Sequence, residues 1–378
     1  MYPVYALLFA ETGLSPAEIS SLFVIWSVTA FTLEIPSGAW ADRFSRRLLV
    51  TASPACAGTG FALWTFFPSY PAFTAGFVLW GAGGALRSGA LQALVYEELR
   101  RLGRAGSYAR LIGRSEALGT TAVMLSTALT SPVLAFGGYQ AVGIASVAAT
   151  AAATLAALSL PESRGRPEPG TSYLRVLRAG ITEVRGTKGV PRLLGLVAVL
   201  SGVDAMDEYL PLLAQATGVP TPAVPLLLLV VSAGSAVGGW LAGRGTRFLV
   251  PVIFTGGVSL AAGALIADAL HPSGMVLVAV TFGIFSWANA AADAALQDSV
   301  GDDARATVTS VAGFGIEVVA VLIFAGYAFG STWLSPGPLF AIAAIPYVLI
   351  ATGFRHVARA QPATDEDEGE DDEPDAAA

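Results

Sequence analysis

The chain has 378 residues, of which 54% are hydrophobic and only 13% are charged, and its mean hydropathy is +0.64. This composition excludes an ordinary soluble domain and predicts a protein with many membrane-spanning helices. The net charge of −7 gives no sign of a nucleic-acid partner. Nine of the 28 acids lie in one stretch, 365–375, and the rest of the chain is close to neutral.

Apolar runs of about 20 residues predict spanning helices. Eleven such runs occur, and we number them spans 2–12 in chain order: 18–38, 48–67, 72–96, 110–132, 138–160, 192–214, 222–243, 248–268, 274–297, 307–329 and 336–354. The apolar stretch Tyr2–Ala10 precedes them. It is too short to cross a bilayer, and we count it as a fragment of span 1. The predicted fold is therefore an all-α integral membrane protein with twelve helices.

The basic residues fall on one side of the predicted membrane. Twenty of the 21 Lys and Arg lie in alternate polar breaks, at 42–47, 100–114, 164–192, 244–247, 305 and 355–359. Basic loops stay in the cytoplasm during insertion, so the pattern predicts a multi-pass protein of the cytoplasmic membrane with its C-terminus inside. One Lys beside twenty Arg is typical of a high-GC bacterial genome.

A weak internal repeat relates the two parts of the chain. An offset of 201 residues places Gly38 on Gly239, Gln92 on Asp293 and Glu116 on Glu317, and an offset of 205 places Thr12-Gly13 on Thr217-Gly218. Agreement over separated segments favours a duplication. We therefore expect an N-terminal half (residues 1–160, spans 1–6) and a C-terminal half (residues 192–357, spans 7–12). The repeat also predicts that span 1 lacks its cytoplasmic part, about 13 residues by comparison with span 7.

The remaining segments are a linker and a tail. Residues 161–191 predict a cytoplasmic linker with a basic amphipathic helix on the inner leaflet, and a plain solvated linker helix is the alternative. Residues 358–378 predict an acidic disordered cytoplasmic tail. The single Cys56 excludes a disulfide framework. Nothing in the sequence predicts a cofactor or a metal site.

A signature loop lies between spans 2 and 3, with the sequence Gly38-Ala39-Trp40-Ala41-Asp42-Arg43-Phe44-Ser45-Arg46-Arg47. Gly38 permits close helix contact, Asp42 can accept from a neighbouring helix N-terminus, and Arg43, Arg46 and Arg47 seek carboxylates. The pattern resembles the signature loop of the major facilitator superfamily, Gly-x-x-x-Asp-Arg-x-Gly-Arg-Arg. The chain departs from it at Ser45, where the family has glycine, and we expect this change to weaken the turn slightly.

The resemblance implies a twelve-helix major facilitator fold of two six-helix halves, and it implies roles for the loop. Asp42 is expected to face the start of span 11, near Thr307. Arg46 is expected to pair with Glu97 or Glu98 at the cytoplasmic end of span 4. In that family such contacts hold the halves together inside and favour the outward-open state. The strict Gly-Pro signature of the efflux branch is missing from span 5, which leaves the antiporter assignment open.

Charges inside spans are expensive and mark candidate sites. In the N-terminal half these are Glu34, Arg87 and Glu116, which are expected to meet at one depth. They predict either a functional cavity or a structural ion pair. In the C-terminal half, Asp204, Asp207 and Glu208 stand at i, i+3 and i+4 on span 7, hence on one face.

Three like charges cannot all ionise cheaply in a membrane, so at least one of these carboxyls is expected to carry a proton. Asp204 is expected nearest mid-membrane. Glu208 is expected towards the outer mouth, where the alternative is that it is merely wet. Asp293 in span 10 and Glu317 in span 11 complete the acidic set, with hydrogen-bonded structural carboxyls as the alternative reading.

Together these features predict a monomeric secondary transporter, with a small-molecule substrate, protons and the lipid bilayer as its partners. Acids outnumber bases in the spans, which favours proton coupling and a cationic or neutral amphipathic substrate. Efflux of a drug-like compound or metabolite is the leading interpretation, and uptake of a small nutrient is the alternative. A polytopic membrane enzyme is disfavoured because His271 and His356 have no acid cluster nearby. A non-transporting sensor with the same fold remains a further alternative.

Overall fold

The structure is a computed structural model that describes residues 1–88, 90–163, 190–243, 249–298 and 305–351. Within these ranges, eight side chains are not described: those of Ile35, Gly38, Ala39, Asp42, Arg305, Ala306, Thr307 and Ser310. All regular structure in the described ranges is helical, without a strand, which confirms the predicted all-α class. The predicted amphipathic linker helix, the basic residues at 244–247 and the acidic tail lie outside these ranges.

Thirteen α-helices occupy the described residues. They are α1 (Tyr5–Glu11), α2 (Pro16–Arg43), α3 (Arg46–Phe66), α4 (Tyr70–Arg87), α5 (Ala90–Arg101), α6 (Tyr108–Leu158), α7 (Val190–Asp207), α8 (Leu210–Ala216), α9 (Val224–Trp240), α10 (Leu249–Asp268), α11 (Gly274–Asp298), α12 (Arg305–Gly330) and α13 (Pro336–Ala343). In this part of the chain, seven helical stretches are long and apolar enough to cross a membrane.

Local sequence explains where several helices begin. Ser15 starts α2 with a reciprocal capping box: its side chain accepts from the Glu18 backbone N–H, and Glu18 accepts from the Ser15 backbone. Pro16 follows at the first helical position, where its missing N–H costs nothing. At 28 residues, α2 is about 42 Å long, which exceeds a hydrocarbon core of about 30 Å.

Four predicted spans, 4 to 7, differ from continuous, separate helices. Span 4 is divided at Ser88, whose ψ of 136° leaves the helix, so that α4 and α5 are separate. The predicted break between spans 5 and 6 is instead helical in α6, except at Gly138, where a φ of 61° kinks the chain. Span 7 is divided at Glu208 and Tyr209, between α7 and α8.

The break in span 7 has a counterpart at the start of the chain. Helices α1 and α8 have seven residues each, are separated by 205 positions and both end before a Thr-Gly pair. Gly13 and Gly218 in these pairs have positive φ values of 95° and 80°, a conformation that glycine adopts without strain. The local geometry thus follows the same 205-residue offset that relates the sequences.

Glycine pairs allow two pairs of helices to approach closely. A Cβ on Gly60 of α3 would lie 2.9 Å from the Gly76 carbonyl oxygen of α4, and one on Gly238 of α9 would lie 1.9 Å from that of Gly283 in α11. Neither contact would tolerate a side chain. Close packing of small residues is a common way to hold helices together in lipid, where the hydrophobic effect gives no attraction between them.

The two halves meet along helix pairs and define two ends of the bundle. α2 packs against α12, where Phe31 and Phe314 have ring centroids 5.5 Å apart, and α6 packs against α9. We call the end with Arg43, Arg46 and Arg101 the basic end. The opposite end contains the turns 12–15, 67–69 and 331–335.

Candidate functional site

Tyr209, at the break between α7 and α8, joins the two halves near the opposite end. Its buried hydroxyl donates to Ser20 Oγ in α2 at 2.8 Å. Its ring stacks on Tyr327 of α12, with centroids 3.6 Å apart, and meets Phe23 of α2 edge to face at 5.3 Å. These aromatic contacts, which we call the aromatic closure, pack α2 and α12 against the break.

A cavity of about 350 Å³ lies between α6 of the N-terminal half and α7, α9 and α11 of the C-terminal half. Its volume falls in the range of small-molecule sites, about 300–1,000 Å³. Both Asp204 and Asp207 line it, and the other lining residues include Thr120, Val123, Met124, Val231, Ser232, Ser235, Phe282 and Ser286. A mixed lining of carboxylates, hydroxyls and apolar groups suits a cationic or neutral amphipathic molecule.

The three acids of span 7 occupy different surroundings. Asp204 is exposed to the cavity, whereas Asp207 accepts a hydrogen bond from the Tyr2 hydroxyl of the N-terminal half. Glu208 follows the last residue of α7, and its Oε2 atom is buried without a hydrogen-bond partner. This atom is therefore not open to solvent in this conformation, and the reading of Glu208 as merely solvated at the outer mouth stays a prediction.

Two further cavities flank the break. One of about 20 Å³ is lined by Tyr2, Asp207 and Glu208, among others. The other, of about 430 Å³, lies at the opposite end and includes Glu11, Gln215, Tyr327 and Ser331 in its lining. Tyr327 therefore stands between the closed break and the wider space at the opposite end.

The charged residues of the N-terminal half do not form the expected cluster. Glu34 accepts a hydrogen bond from the Ser88 hydroxyl at 2.6 Å. Arg87 and Glu116 are exposed, and within the described residues no ion pair joins Arg87 to either acid. The turn at Ser88 is the reason, because it ends α4 at Arg87 and brings the serine hydroxyl, not the guanidinium, to Glu34.

The remaining candidate acids of the C-terminal half differ from each other. Glu317 of α12 accepts a hydrogen bond from the Ser27 hydroxyl of α2, so it joins the two halves. Asp293 of α11 is exposed and is not part of the 350 Å³ cavity. Of the predicted acids, the structure thus gathers Asp204, Asp207 and Glu208 at the break, with Glu317 on the neighbouring α2–α12 interface.

The signature loop is held by one acid of the N-terminal half and one at the start of the linker. Arg46 forms an ion pair with Glu97 at the end of α5, and its backbone N–H donates to Glu162 at 2.7 Å. Arg43 and Arg47 are exposed, while the side chains of Asp42 and Thr307 are outside the described set, as is that of Gly38. The Arg46–Glu97 pair lies within one half and does not bridge the halves by itself. Sequence analysis missed Glu162, although it directly follows the helix-breaking Pro161.

Glu98, the other expected partner of Arg46, has a different role. It accepts a hydrogen bond from the Ser163 backbone N–H and pairs with Arg101 at 3.3 Å. Burial acts to raise the pKa of Glu98, but the Ser163 hydrogen bonds and the charge of Arg101 outweigh it, so the pKa lies below its usual value. Glu98 thus anchors the chain that leaves span 6.

Ser45 stabilises the turn in which the family pattern has glycine. Its side chain accepts from the Leu48 backbone N–H at 3.0 Å as the N-cap of α3, and its hydroxyl donates to Glu162. Its φ of −62° requires no glycine. The expected weakening of the turn is therefore wrong, because a serine cap replaces the freedom of glycine.

We expect Ser45→Ala to destabilise the protein by about 1 kcal/mol, through loss of the helix cap. Ser45→Gly should lower the stability by only a few tenths of a kcal/mol, because glycine is itself an acceptable N-cap. Thermal unfolding of the purified protein in detergent measures the difference. Equal melting temperatures for wild type and Ser45→Ala would contradict the capping role.

We also expect Tyr209→Ala to loosen the closure of the opposite end. The lost hydrogen bond and ring stacking are together worth about 2 kcal/mol, which is about thirtyfold in the open population. The measurement is the labelling rate of a size-conserving Ser27→Cys reporter by a membrane-impermeant thiol reagent, with the single native cysteine removed as Cys56→Ser. Tyr209→Phe is the matched control and should give only about a fivefold increase, because it keeps the ring stacking. An unchanged rate in Tyr209→Ala would rule out this closure.

Comparisons with known proteins agree with this architecture. A family model described as Major Facilitator Superfamily matches residues 1–323. The chain is similar to the solved nucleoside transporter NupG, with 13% identity, a TM-score of 0.72 and 95% of this chain and 94% of that chain covered. It is also similar to an auto-inhibited POT family peptide transporter, with 14% identity, a TM-score of 0.66 and coverage of 94% and 90%. No curated protein matches the sequence.

Proposed function

Because the chain belongs to the major facilitator superfamily, we propose that it is a secondary active transporter of a small organic molecule in the bacterial cytoplasmic membrane. The substrate site is the 350 Å³ cavity between α6, α7, α9 and α11. The single observation that carries this proposal is the position of that cavity between the two halves, with Asp204 and Asp207 in its lining. Sites between two repeats are typical of transporters that work by alternating access.

The conformation proposed for this structure is inward-facing. The basic end is assigned to the cytoplasm, together with the C-terminus, on the distribution of Lys and Arg. Two observations support this assignment of state. The opposite end is closed by Tyr209, Tyr327 and Phe23, while Arg87, Glu116, Asp204 and Asp293 are exposed. Substrate then enters the cavity from the cytoplasm and leaves after the aromatic closure opens.

The proposed coupling ion is the proton, and Asp204 is the proposed carrier. Asp204 lines the cavity and is exposed there, whereas Asp207 accepts a hydrogen bond from Tyr2 and Glu317 accepts one from Ser27. A carboxyl that lines the substrate cavity can exchange its proton for a cationic substrate, because both compete for one negative charge. This competition favours antiport, and hence efflux of a drug-like compound or metabolite.

The signature loop is proposed to set the balance between the two states and not to bind substrate. The Arg46–Glu97 pair and the hydrogen bonds of Glu162 fix the loop at the basic end. From there Asp42 is proposed to reach the start of α12 when the basic end closes. The loop lies about eight residues beyond Glu34 on α2, about 12 Å along the helix and outside the cavity.

Uptake of a small nutrient is the second candidate function. It is favoured by the lack of a strict Gly-Pro signature in α6, which has Ser131-Pro132 and Gly137-Gly138 instead. The structures to which the chain is similar are named as nucleoside and peptide transporters, which gives examples of small polar substrates on this fold.

A resistance and metabolite profile of a deletion strain would identify the substrate and separate these candidates. Efflux predicts increased sensitivity to a compound, or its accumulation in cells, and uptake predicts failure to grow on a nutrient. Proteoliposomes then test the mechanism, because substrate added to a coupled antiporter releases or consumes protons across the membrane. Protein-free liposomes are the control. Solute movement without any pH change in the wild-type protein would exclude proton coupling and indicate a uniporter.

A further inference from the structure

The break between α7 and α8 contains a buried carboxylate oxygen without a hydrogen-bond partner among the described residues. This atom is Glu208 Oε2. An unpartnered buried carboxylate is among the most costly groups in a membrane protein. A bound species that the chain itself does not provide would remove this cost.

The space in front of Glu208 has the size and chemistry for one small ion. The cavity of about 20 Å³ is lined by the acidic residues Asp207 and Glu208 and by the hydroxyl-bearing residues Tyr2, Tyr5, Thr127 and Ser232. A volume of about 10–15 Å³ already holds one water-sized particle. All of the polar side chains in this lining carry oxygen, the ligand atom of hard cations, and no Lys or Arg is among them.

The backbone at the break adds negative potential to this cavity. α7 ends at Asp207, so the negative end of its dipole is located here. Pro211 has no N–H to donate to the Asp207 carbonyl, which would be its partner in a continuous helix. Half-helix ends of this kind coordinate cations in other transporter folds.

A monovalent metal cation, which binds several oxygen ligands at once, fits the site better than a proton does. A proton on Glu208 would remove its charge but would use only one of the oxygen-bearing side chains that line the cavity. A Mg²⁺ ion usually keeps several waters, for which the cavity is too small. A sodium ion can take its ligands directly from the carboxylates and the hydroxyls that line the cavity.

We propose that this cavity binds one sodium ion, with Asp207 and Glu208 as its charged ligands and Thr127 and Ser232 as neutral ones. Asp207 and Ser232 also line the 350 Å³ cavity, which gives the ion a route from the wider space. Asp204 lines only the larger cavity, so sodium binding is separate from the proposed proton carrier. The bound ion stabilises the break and, through Asp207, its contact with Tyr2 of the N-terminal half.

Equilibrium binding of radioactive sodium to the purified full-length protein in detergent tests this site, without any substrate. We expect saturable binding of about one ion per chain, and a melting temperature that rises in NaCl relative to choline chloride at equal ionic strength. Glu208→Gln should weaken sodium binding about tenfold. The matched control is Asp298→Asn, which neutralises an exposed acid at the end of α11 and should bind like the wild type.

Several results would overturn the proposal. These are wild-type protein without saturable binding, equal stabilisation by sodium and choline, and wild-type binding in Glu208→Gln. If Glu208→Gln does not fold, Ser232→Ala and Thr127→Val replace it, and wild-type affinity in both would equally refute the site. Because no substrate is used, a failed transport assay leaves this result intact, and absent sodium binding leaves the proposed transport function intact.

Discussion

Asp204→Asn is expected to abolish proton-driven substrate accumulation while preserving substrate exchange. Exchange needs no net proton movement, whereas accumulation requires a group that binds and releases a proton during each cycle. Asp204 lines the cavity between the halves and, unlike Asp207, is not bonded to Tyr2, and an asparagine of nearly the same shape cannot titrate. The measurement is the substrate-evoked pH change in proteoliposomes, together with exchange of labelled substrate in the same preparation.

The controls for this experiment separate Asp204 from the other acids. Asp298→Asn removes one exposed charge outside the cavities and should keep wild-type coupling. Glu317→Gln should have the second-largest effect, because Glu317 joins α12 to Ser27 of α2. Glu208→Gln should impair proton coupling less than Asp204→Asn. Full coupling in Asp204→Asn would transfer the role to Glu317 or to the group Glu34, Arg87 and Glu116.

Arg46→Glu is expected to shift the protein away from the state that is open at the opposite end. The substitution replaces an ion pair by repulsion between position 46 and Glu97, so the signature loop loses its side-chain anchor to α5. We expect the labelling rate of the Ser27→Cys reporter from the opposite side to fall about tenfold, which equals about 1.4 kcal/mol. Substrate affinity should stay within severalfold, because the loop lies outside the cavity.

Charge exchange provides the decisive control. The double variant Arg46→Glu with Glu97→Arg restores an ion pair of opposite polarity and should recover a large part of the labelling rate. The backbone hydrogen bond from residue 46 to Glu162 does not depend on the side chain and remains in every variant. A double variant as impaired as Arg46→Glu alone would show that the pair has no switching role.

Much of the fold could be predicted from the sequence because the lipid bilayer limits which backbone structures can span it. Apolar runs long enough to span must become helices, and basic residues between them report orientation. The signature loop at 38–47 indicated the superfamily, and the match over residues 1–323 established it. The approximate positions of α2, α3, α9, α10, α11 and α12 follow from composition alone.

The breaks were not visible in the sequence, because hydropathy does not report backbone geometry. Span 7 reads as one apolar run through Pro211, and its three acids fit one face of a continuous helix. The helix instead ends at Asp207, which separates Glu208 from the face that carries Asp204. Arg87 likewise appeared to meet Glu34, but the turn at Ser88 gives Glu34 a hydroxyl partner.

The sequence by itself determined which residues are chemically costly in a membrane: the acids of spans 2, 5, 7, 10 and 11 and the single arginine of span 4. Only the tertiary structure decided which of these residues lie close together and which partners they contact. The contacts of Tyr209 with Ser20, of Glu317 with Ser27 and of Asp207 with Tyr2 join residues that are far apart in the chain. The physical reason is that burial cost depends on a residue alone, whereas its compensation depends on the partners that packing brings within hydrogen-bond distance.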